Sequence, residues 1–241
     1  MYQYQERTYQ QSIQAAGLVR SQVWVDESNL CILAGVDVAE LAADLLREVR
    51  ADLLAYLRRD ERFRLTLDPY EPLFDAPLVA VRMAAAARRF EVGPMAAVAG
   101  AVADCVGDQL SQHYAEVVVE NGGDIYVRCE RPVVVSVFAG DQSPFLDNLR
   151  FLVHPGGRRL GVCTSSGTVG HSFSAGKADA VCIVADSSAD ADAAATFFGN
   201  QVQGREDINR VVDLAMQRDG VLGILVAIGD QLGVWGAVEI V

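Results

Sequence analysis

Residues 161–200 constrain the fold more than any other part of the chain, because they combine two apolar runs, a polar loop and a helical pattern. The apolar run 160–163 leads into a loop rich in Ser, Thr and Gly, which spans residues 164–172. A second apolar run, 178–185, contains Val and Ile and is typical of a buried strand. An Ala-rich run follows it. The pattern predicts strand, loop, strand and helix in that order. Near the C-terminus, the runs 221–228 and 232–241 predict a hairpin.

The polar loop 164–172 is a candidate binding site for an anion. Glycine lets the backbone approach a ligand closely, and amides in a concave loop bind phosphate oxygens as a helix N-terminus does. The same composition also fits an ordinary turn whose hydroxyls bond their own backbone. The candidate ligand contacts in this loop are Thr164, Ser165, Ser166, Gly167 and Thr168.

The Ala-rich run that follows predicts a helix, and this helix carries two candidate ligands of a metal ion. Ser187 and Asp190 have the spacing of a capping box, which marks the helix start. Asp192 and Thr196 stand four positions apart, so they share one helical face and their oxygens can reach one ion. Mg²⁺ needs further oxygen ligands, from carbonyls, water or phosphates. An Asp near a helix start also commonly stabilises the helix dipole.

This helix resembles the metal-binding helix of the ApbE-like superfamily, whose best-known members are FAD:protein FMN transferases. The matching residues are Ala191, Asp192, Ala193, Ala195, Thr196 and Gly199. Upstream, Thr164, Ser165 and Gly167 resemble the family's Thr-Ser-Gly with one residue inserted, and His171 falls at the family's histidine. The Gly-Gly-Asp-Ile run at 122–125 matches as well, and the likeness extends from Gly93 to the C-terminus.

The resemblance implies a site, its ligands and a fold. It implies that Asp192 and Thr196 ligate a divalent metal, expected to be Mg²⁺, near an FAD- or FMN-like ligand. The further residues implied to contact the ligand are Asn121, Gly122, Gly123, Asp124 and Asp104. The implied fold class is α+β, T-fold-like, with duplicated antiparallel sheet and helix-pair units. We expect residues 1–241 to form one domain of two closely packed α+β subdomains.

The sequence allows more than one interpretation of Asp104 and of Asp124. The run 91–112 is nearly free of large side chains and predicts one helix. Asp104 lies within it, and either a solvent-facing or a site-facing position fits this residue. Asn121 and Gly122 form the strongest local hairpin signal, so a simple turn also explains this segment. We favour a site role for Asp124, because the resembled family carries the same acid-bearing turn.

Two departures from the family pattern argue against flavin transfer. FMN-transferring members carry a Lys-Gly pair on the helix before Gly-Gly-Asp-Ile, and Ala99 and Gly100 stand at the corresponding place here. The histidine is followed by Ser172 and Phe173 instead of an apolar pair and Asp-Pro.

Composition limits the classes of partner. The net charge of −12 argues against nucleic acid or an anionic membrane, since both require clustered basic residues. A phosphorylated ligand entering so acidic a protein needs a cation or local donors to offset repulsion. The five cysteines show no CxxC spacing and are interpreted as reduced core residues. The first ten residues lack a signal peptide pattern, so we expect a cytoplasmic protein, with a homodimer left open.

Three functional hypotheses follow. The first is a metal-dependent enzyme acting on a phosphorylated, flavin- or nucleotide-like small molecule by FMN transfer or pyrophosphate cleavage, with His171 and Asp192 as catalytic residues. The second is a non-catalytic flavin- or nucleotide-binding protein that has lost transfer chemistry. The third is a hydrolase with Ser165 or Ser166 as nucleophile and His171 as base, although a GxSxG nucleophile elbow is absent from the sequence.

Overall fold

The computed structural model describes residues 13–137, 149–165 and 176–241. Within these ranges the chain forms a central eight-stranded sheet and a smaller four-stranded sheet. The strands are β1 Ile13–Gln14, β2 Val19–Val25, β3 Ser28–Ala34, β4 Val117–Asn121, β5 Asp124–Arg128, β6 Val133–Ser136, β7 Arg150–Val153, β8 Arg159–Ser165, β9 Ala180–Ala185, β10 Val221–Ile228, β11 Gln231–Gly236 and β12 Glu239–Ile240.

The helices lie in two groups along the chain. They are α1 Ala39–Arg59, α2 Glu61–Leu65, α3 Leu78–Phe90, α4 Val98–Leu110, α5 Ser188–Gln201 and α6 Ile208–Met216, with two short 3₁₀ helices at Pro94–Ala97 and Arg205–Asp207. Among the described residues, no single helix is long and apolar enough to cross a membrane. Leu78–Phe90 and Pro94–Leu110 reach that length and composition only as a pair bent by 105°.

The central sheet has the order β11-β10-β9-β8-β5-β4-β3-β2, and every neighbouring pair is antiparallel. Its two faces contribute to different cores, because side chains alternate along each strand. Tyr126 of β5 packs in the core beneath the helices, whereas Ile125 and Val127 pack in the core shared with the small sheet. The central sheet is therefore the middle layer of three, and the predicted α+β class is confirmed.

The described parts of residues 161–200 have the predicted strands and helix in the predicted order. Strand β8 ends at Ser165, strand β9 follows, and helix α5 begins at Ser188. The Ser187 side chain accepts a hydrogen bond from the Asp190 amide at 3.1 Å, which confirms the predicted cap. The proposed division of residues 1–241 into two subdomains stays a prediction.

The structure differs from the sequence expectation in two places. The run 91–112, predicted as one helix, contains the 3₁₀ turn Pro94–Ala97 before α4 begins. The C-terminal strand is interrupted at Gly236, whose φ of +77° ends β11, so that β12 joins the small sheet beside β7. A left-handed residue breaks the strand ladder, and this break was not visible in the apolar pattern.

Candidate functional site

Three polar side chains meet where strands β5 and β8 pass beneath helix α5. Strand β5 starts at Asp124 directly after a tight turn at Gly122 and Gly123, whose φ values of +69° and +105° favour glycine. In the antiparallel register Asp124 lies opposite Cys163 of β8. Cys163 belongs to the core beneath the helices, so this pair of strand positions lies on the helix side of the sheet.

Helix α5 lies close to both β8 and α4, because two glycines leave room for its first residues. A Cβ atom on Gly161 of β8 would lie 2.1 Å from the Ser187 carbonyl, and one on Gly100 of α4 would lie 2.2 Å from the Ser188 oxygen. Any side chain at these positions would move the helix outward. The close packing brings Asp192, in the second turn of α5, next to Cys163.

The resulting cluster is compact. One ligand atom from each of Asp124, Cys163 and Asp192 lies within 4.8 Å of the others. Cys163 Sγ is 4.0 Å from Oδ1 of Asp192. Asp124 is only 7% exposed, and its Oδ1 has no hydrogen-bond partner within residues 13–137, 149–165 and 176–241. The three groups have the donor types and spacing of a site for a cation.

Within the described ranges, no positively charged side chain contributes to the pKa shifts of the two acids of this cluster. Burial is the main cause that raises the pKa of Asp124 to about 7; a hydrogen bond with the Cys163 thiol opposes the shift, and the nearby charge of Asp104 contributes to it. Burial, followed by the charge of Asp124, raises the pKa of Asp192 well above its usual range. Burial and both carboxylates raise the pKa of the Cys163 thiol. A divalent cation would stabilise the deprotonated forms of all three.

Asp104 and Asp192 hold the N-termini of two neighbouring helices. Both carboxylate oxygens of Asp104, at 3.0 Å each, accept hydrogen bonds from the amides of Ser188 and Ala189 at the start of α5. Oδ2 of Asp192 accepts one from the Gly100 amide in the first turn of α4, also at 3.0 Å. Asp104 is 1% exposed, so the solvent-facing alternative for this residue is wrong.

The other predicted contacts divide between the two faces of the sheet. The Asn121 side-chain amide donates to the Ala99 carbonyl at 3.0 Å and joins the end of β4 to the start of α4. The Thr164 hydroxyl lies 3.2 Å from Cys182 Sγ, in the core shared with the small sheet, so it points away from the cluster. Ser165 returns to the helix side and is buried.

Of the remaining predicted site residues, only Thr196 lies in the described part of the chain. Thr196 is partly buried on α5, one helical turn after Asp192. Ser166, Gly167, Thr168 and His171 lie outside the described residues. The roles assigned to these positions, and to the contacts on β4, β5 and β8, stay predictions.

Cys163 is the member of the cluster that sequence reasoning missed. It was interpreted as a reduced core cysteine beside the polar loop, and it is indeed buried and free. Strand alternation could have identified it, because it precedes Ser165 by two residues and so shares the same face of β8. The pairing of β8 with β5, which brings Asp124 opposite, was not readable from the sequence.

Comparison with known proteins identifies the family. A family model described as AbpE bacteria matches residues 10–230. The chain belongs to this ApbE-like family. It is 41% identical over 201 residues to a UPF0280 protein of Methanothrix thermoacetophila, covering 83% of this chain and 84% of that protein. It is 39% identical over 223 residues to a UPF0280 protein of Methanosphaerula palustris, covering 92% of each.

Solved structures share the ApbE-like fold at low sequence identity. A mutant of the flavin transferase ApbE from Vibrio cholerae matches with a TM-score of 0.61 and 14% identity, over 92% of this chain and 98% of that one. The apo flavinyl transferase ApbE of Pseudomonas stutzeri matches with a TM-score of 0.59 and 14% identity, over 91% and 94%. At this identity the likeness establishes the fold alone.

Proposed function

We propose that this protein is a metal-dependent enzyme that acts on a phosphorylated small molecule of the flavin or nucleotide class. The observation that carries the proposal is the convergence of Asp124, Cys163 and Asp192 within 4.8 Å at one end of the central sheet. Strand β8 leads from this cluster directly into the hydroxyl-rich loop 164–172. A cation site on a strand that is followed in the sequence by a hydroxyl-rich run suits a pyrophosphate substrate.

The residues of the cluster fit a divalent cation. Asp124 Oδ1 is buried without a partner in the described part of the chain, which is costly for a carboxylate unless an ion or ligand contacts it. Asp192 would hold the cation with Thr196, the pair predicted from the sequence. When bound, the cation would neutralise charge developing on the phosphate oxygens. Mg²⁺ is the ion that the family resemblance implies.

Groups of the protein itself would orient the cation ligands and the substrate and would transfer a proton. The Gly100 amide fixes Oδ2 of Asp192, leaving Oδ1 on the side of Cys163. Hydroxyls and amides of the loop 164–172 would hold the phosphate oxygens, except the Thr164 hydroxyl, which contacts Cys182 in the other core. His171, in the same loop, would transfer a proton as general acid or base, because its unperturbed pKa lies near neutrality.

A flavin-like substrate is part of this proposal. The support is the shared fold with proteins described as flavin transferases, together with the phosphate-suited loop. FMN transfer or pyrophosphate cleavage would both require the bound cation. A cytoplasmic location and a homodimeric assembly also stay predictions.

A second candidate is a flavin- or nucleotide-binding protein without transfer activity. Helix α4 carries Ala99 and Gly100 where transferases carry Lys and Gly, and the only lysine of the chain, Lys177, precedes β9. The Gly100 amide nevertheless keeps its hydrogen bond to Asp192. The chain therefore has the proposed cation residues and lacks the lysine of the transferase motif.

The experiment is to incubate the purified protein with FAD and each of several divalent cations, then to separate FAD, FMN and AMP chromatographically. We expect cation-dependent release of FMN and AMP that chelation abolishes and that Asp192→Asn reduces at least about a hundredfold. FAD binding without any product would favour the second candidate. Absence of both binding and turnover would overturn the proposal.

A further inference from the structure

Cys163 stands apart from the other cysteines in what surrounds its sulphur. Its charged neighbours are two carboxylates, Asp124 and Asp192. The four remaining thiols contact a guanidinium, a backbone carbonyl or a hydroxyl: Cys31 with Arg20, Cys105 with Arg82, Cys129 with the Arg131 carbonyl and Cys182 with Thr164. A buried thiol between two acids has the composition of a mixed sulphur and oxygen ligand set.

A second observation points to a missing ligand at the same place. Asp124 is more than nine-tenths buried, and its Oδ1 has no hydrogen-bond partner by distance and angle among the described residues. Most buried polar atoms in folded proteins have a partner, so an orphaned carboxylate oxygen beside a thiol indicates a group that binds there. An ion that accepts both oxygen and sulphur would satisfy it.

We propose that Cys163 is a direct ligand of the bound cation, together with Asp124 and Asp192, and that the site selects a borderline-soft ion such as Zn²⁺ over Mg²⁺. This inference rests on the proposed function and specifies its metal. Thiolate ligands favour Zn²⁺, whereas Mg²⁺ requires oxygen ligands in near-ideal octahedral geometry. The sequence expectation of Mg²⁺ considered only Asp192 and Thr196.

The distance between Cys163 Sγ and Asp192 Oδ1 is close to the value that this assignment requires. Zinc bonds of about 2.3 Å to sulphur and about 2.0–2.2 Å to oxygen place the two atoms about 3.6 Å apart in a tetrahedral site. The observed 4.0 Å between Cys163 Sγ and Asp192 Oδ1 requires a contraction of a few tenths of an ångström. When the sulphur–metal bond forms, the thiol proton leaves to solvent, and no oxidation takes place.

The test uses Co²⁺ as a spectroscopic probe for Zn²⁺ in the full-length protein, with its cysteines kept reduced by a phosphine. We expect a sulphur-to-cobalt charge-transfer absorption in the near ultraviolet, displaced by added Zn²⁺. Cys163→Ser should abolish this absorption and weaken Zn²⁺ binding at least about tenfold, with Mg²⁺ binding changed by less than about twofold. Cys129→Ser, at the far end of β5, is the matched control and should retain the absorption.

A measurement on the wild-type protein makes the test independent of variant folding. X-ray absorption at the zinc edge should show one sulphur scatterer at about 2.3 Å together with oxygen scatterers. A shell of oxygen or nitrogen alone, or a cobalt spectrum unaffected by Cys163→Ser, would overturn the inference.

The two proposals can fail separately. Cation-dependent FAD cleavage by a site with an oxygen-only shell would remove Cys163 as a ligand and leave the proposed enzyme standing. A sulphur-ligated ion in a protein that neither binds nor cleaves FAD would confirm the ligand and overturn the proposed function.

Discussion

Oδ2 of Asp192 accepts a hydrogen bond from the amide of Gly100 at 3.0 Å, although the two residues lie 92 positions apart. A reciprocal contact exists nearby, since Asp104 of α4 accepts from the amides that open α5. Residue 104 therefore meets 188 while residue 100 meets 192, so the two helices run in opposite directions where they touch. Each helix supplies an acid to the positive end of the other. This exchange fixes Asp192 over the sheet.

The first prediction concerns the acid that holds α5. Asp104→Ala should lower the free energy of unfolding by about 2–4 kcal/mol, because it removes two buried hydrogen bonds and leaves the amides of Ser188 and Ala189 unpaired. Asp104→Asn retains one acceptor oxygen and should recover part of the loss. Urea denaturation measures both, with exposed Asp213→Ala as control. Equal stability of Asp104→Ala and wild type would contradict the capping role.

Two adjacent serines at the start of α5 allow a matched comparison. The Ser187 side chain accepts from the Asp190 amide, whereas the Ser188 hydroxyl has no partner among the described residues although it is fully buried. Ser187→Ala should cost about 1 kcal/mol. Ser188→Ala should be neutral or slightly stabilising, because it removes a buried hydroxyl without breaking a bond. The denaturation midpoints of the two variants measure this difference. A larger loss of stability in Ser188→Ala than in Ser187→Ala would contradict the assigned hydrogen bonds.

The strands and helices were predictable because their signals are local. The apolar run before residue 186, the Ser187 cap and the Asn121-Gly122 turn each depend on neighbours in sequence, and the structure has all three features. The helical pair Asp192 and Thr196 also follows from a local period of four residues.

The cluster itself was only partly predictable. Asp124 and Asp192 were selected through family resemblance, whereas Cys163 joins them through the pairing of β5 with β8. The pairing of strands that lie far apart in sequence depends on the whole sheet. It therefore cannot be predicted from the residue at any single position. The sequence also could not predict whether Asp104 is buried. Small residues surround it on every side of α4, so the helix has no amphipathic period that would indicate its buried face.

Two glycines should resist substitution because the neighbouring backbone occupies the space of a side chain. Gly100→Ala and Gly161→Ala would each place Cβ within 2.2 Å of the backbone of residues 187–188. We expect each to lower the free energy of unfolding by about 2 kcal/mol or more, since the packed helix has to shift. Gly35→Ala, with open space around its Cβ position, is the control and should be tolerated. Thermal melts of the three variants provide the measurement.

Removing the charge of Asp192 should weaken cation binding while leaving the fold intact. Asn at this position keeps an oxygen that can accept from the Gly100 amide, so the fold should be retained. The loss of the anionic ligand should weaken divalent-cation binding at least about tenfold, as measured by calorimetric titration. Asp213→Asn, on the exposed surface of α6, should bind as wild type does. Unchanged binding by Asp192→Asn would place the cation elsewhere.

The last prediction concerns pH. Burial, together with the charge of Asp104, raises the pKa of Asp124 from 3.8 to about 7. An acid whose pKa is higher in the folded state stabilises the fold while protonated, so this contribution is complete below about pH 4 and is lost as the pH rises to about 7. The cation-free protein should therefore lose about 2–4 kcal/mol across this range relative to Asp124→Asn, which stays neutral.

The comparison with Asp124→Asn cancels the titrations of acids outside the cluster, because these occur in both proteins. The difference also includes the effect of the Asp124 charge on the pKa of Asp192 and of the Cys163 thiol. Free energies of unfolding measured at pH 5 and pH 8 in a chelator, for wild type and variant, give the difference directly. A saturating divalent cation should reverse the trend for wild type and stabilise the variant less, since the variant keeps Asp192 and Cys163 but lacks the Asp124 carboxylate, whose deprotonated form binds the ion. Parallel pH profiles for the two proteins, with and without the cation, would show that Asp124 neither titrates on folding nor binds the ion.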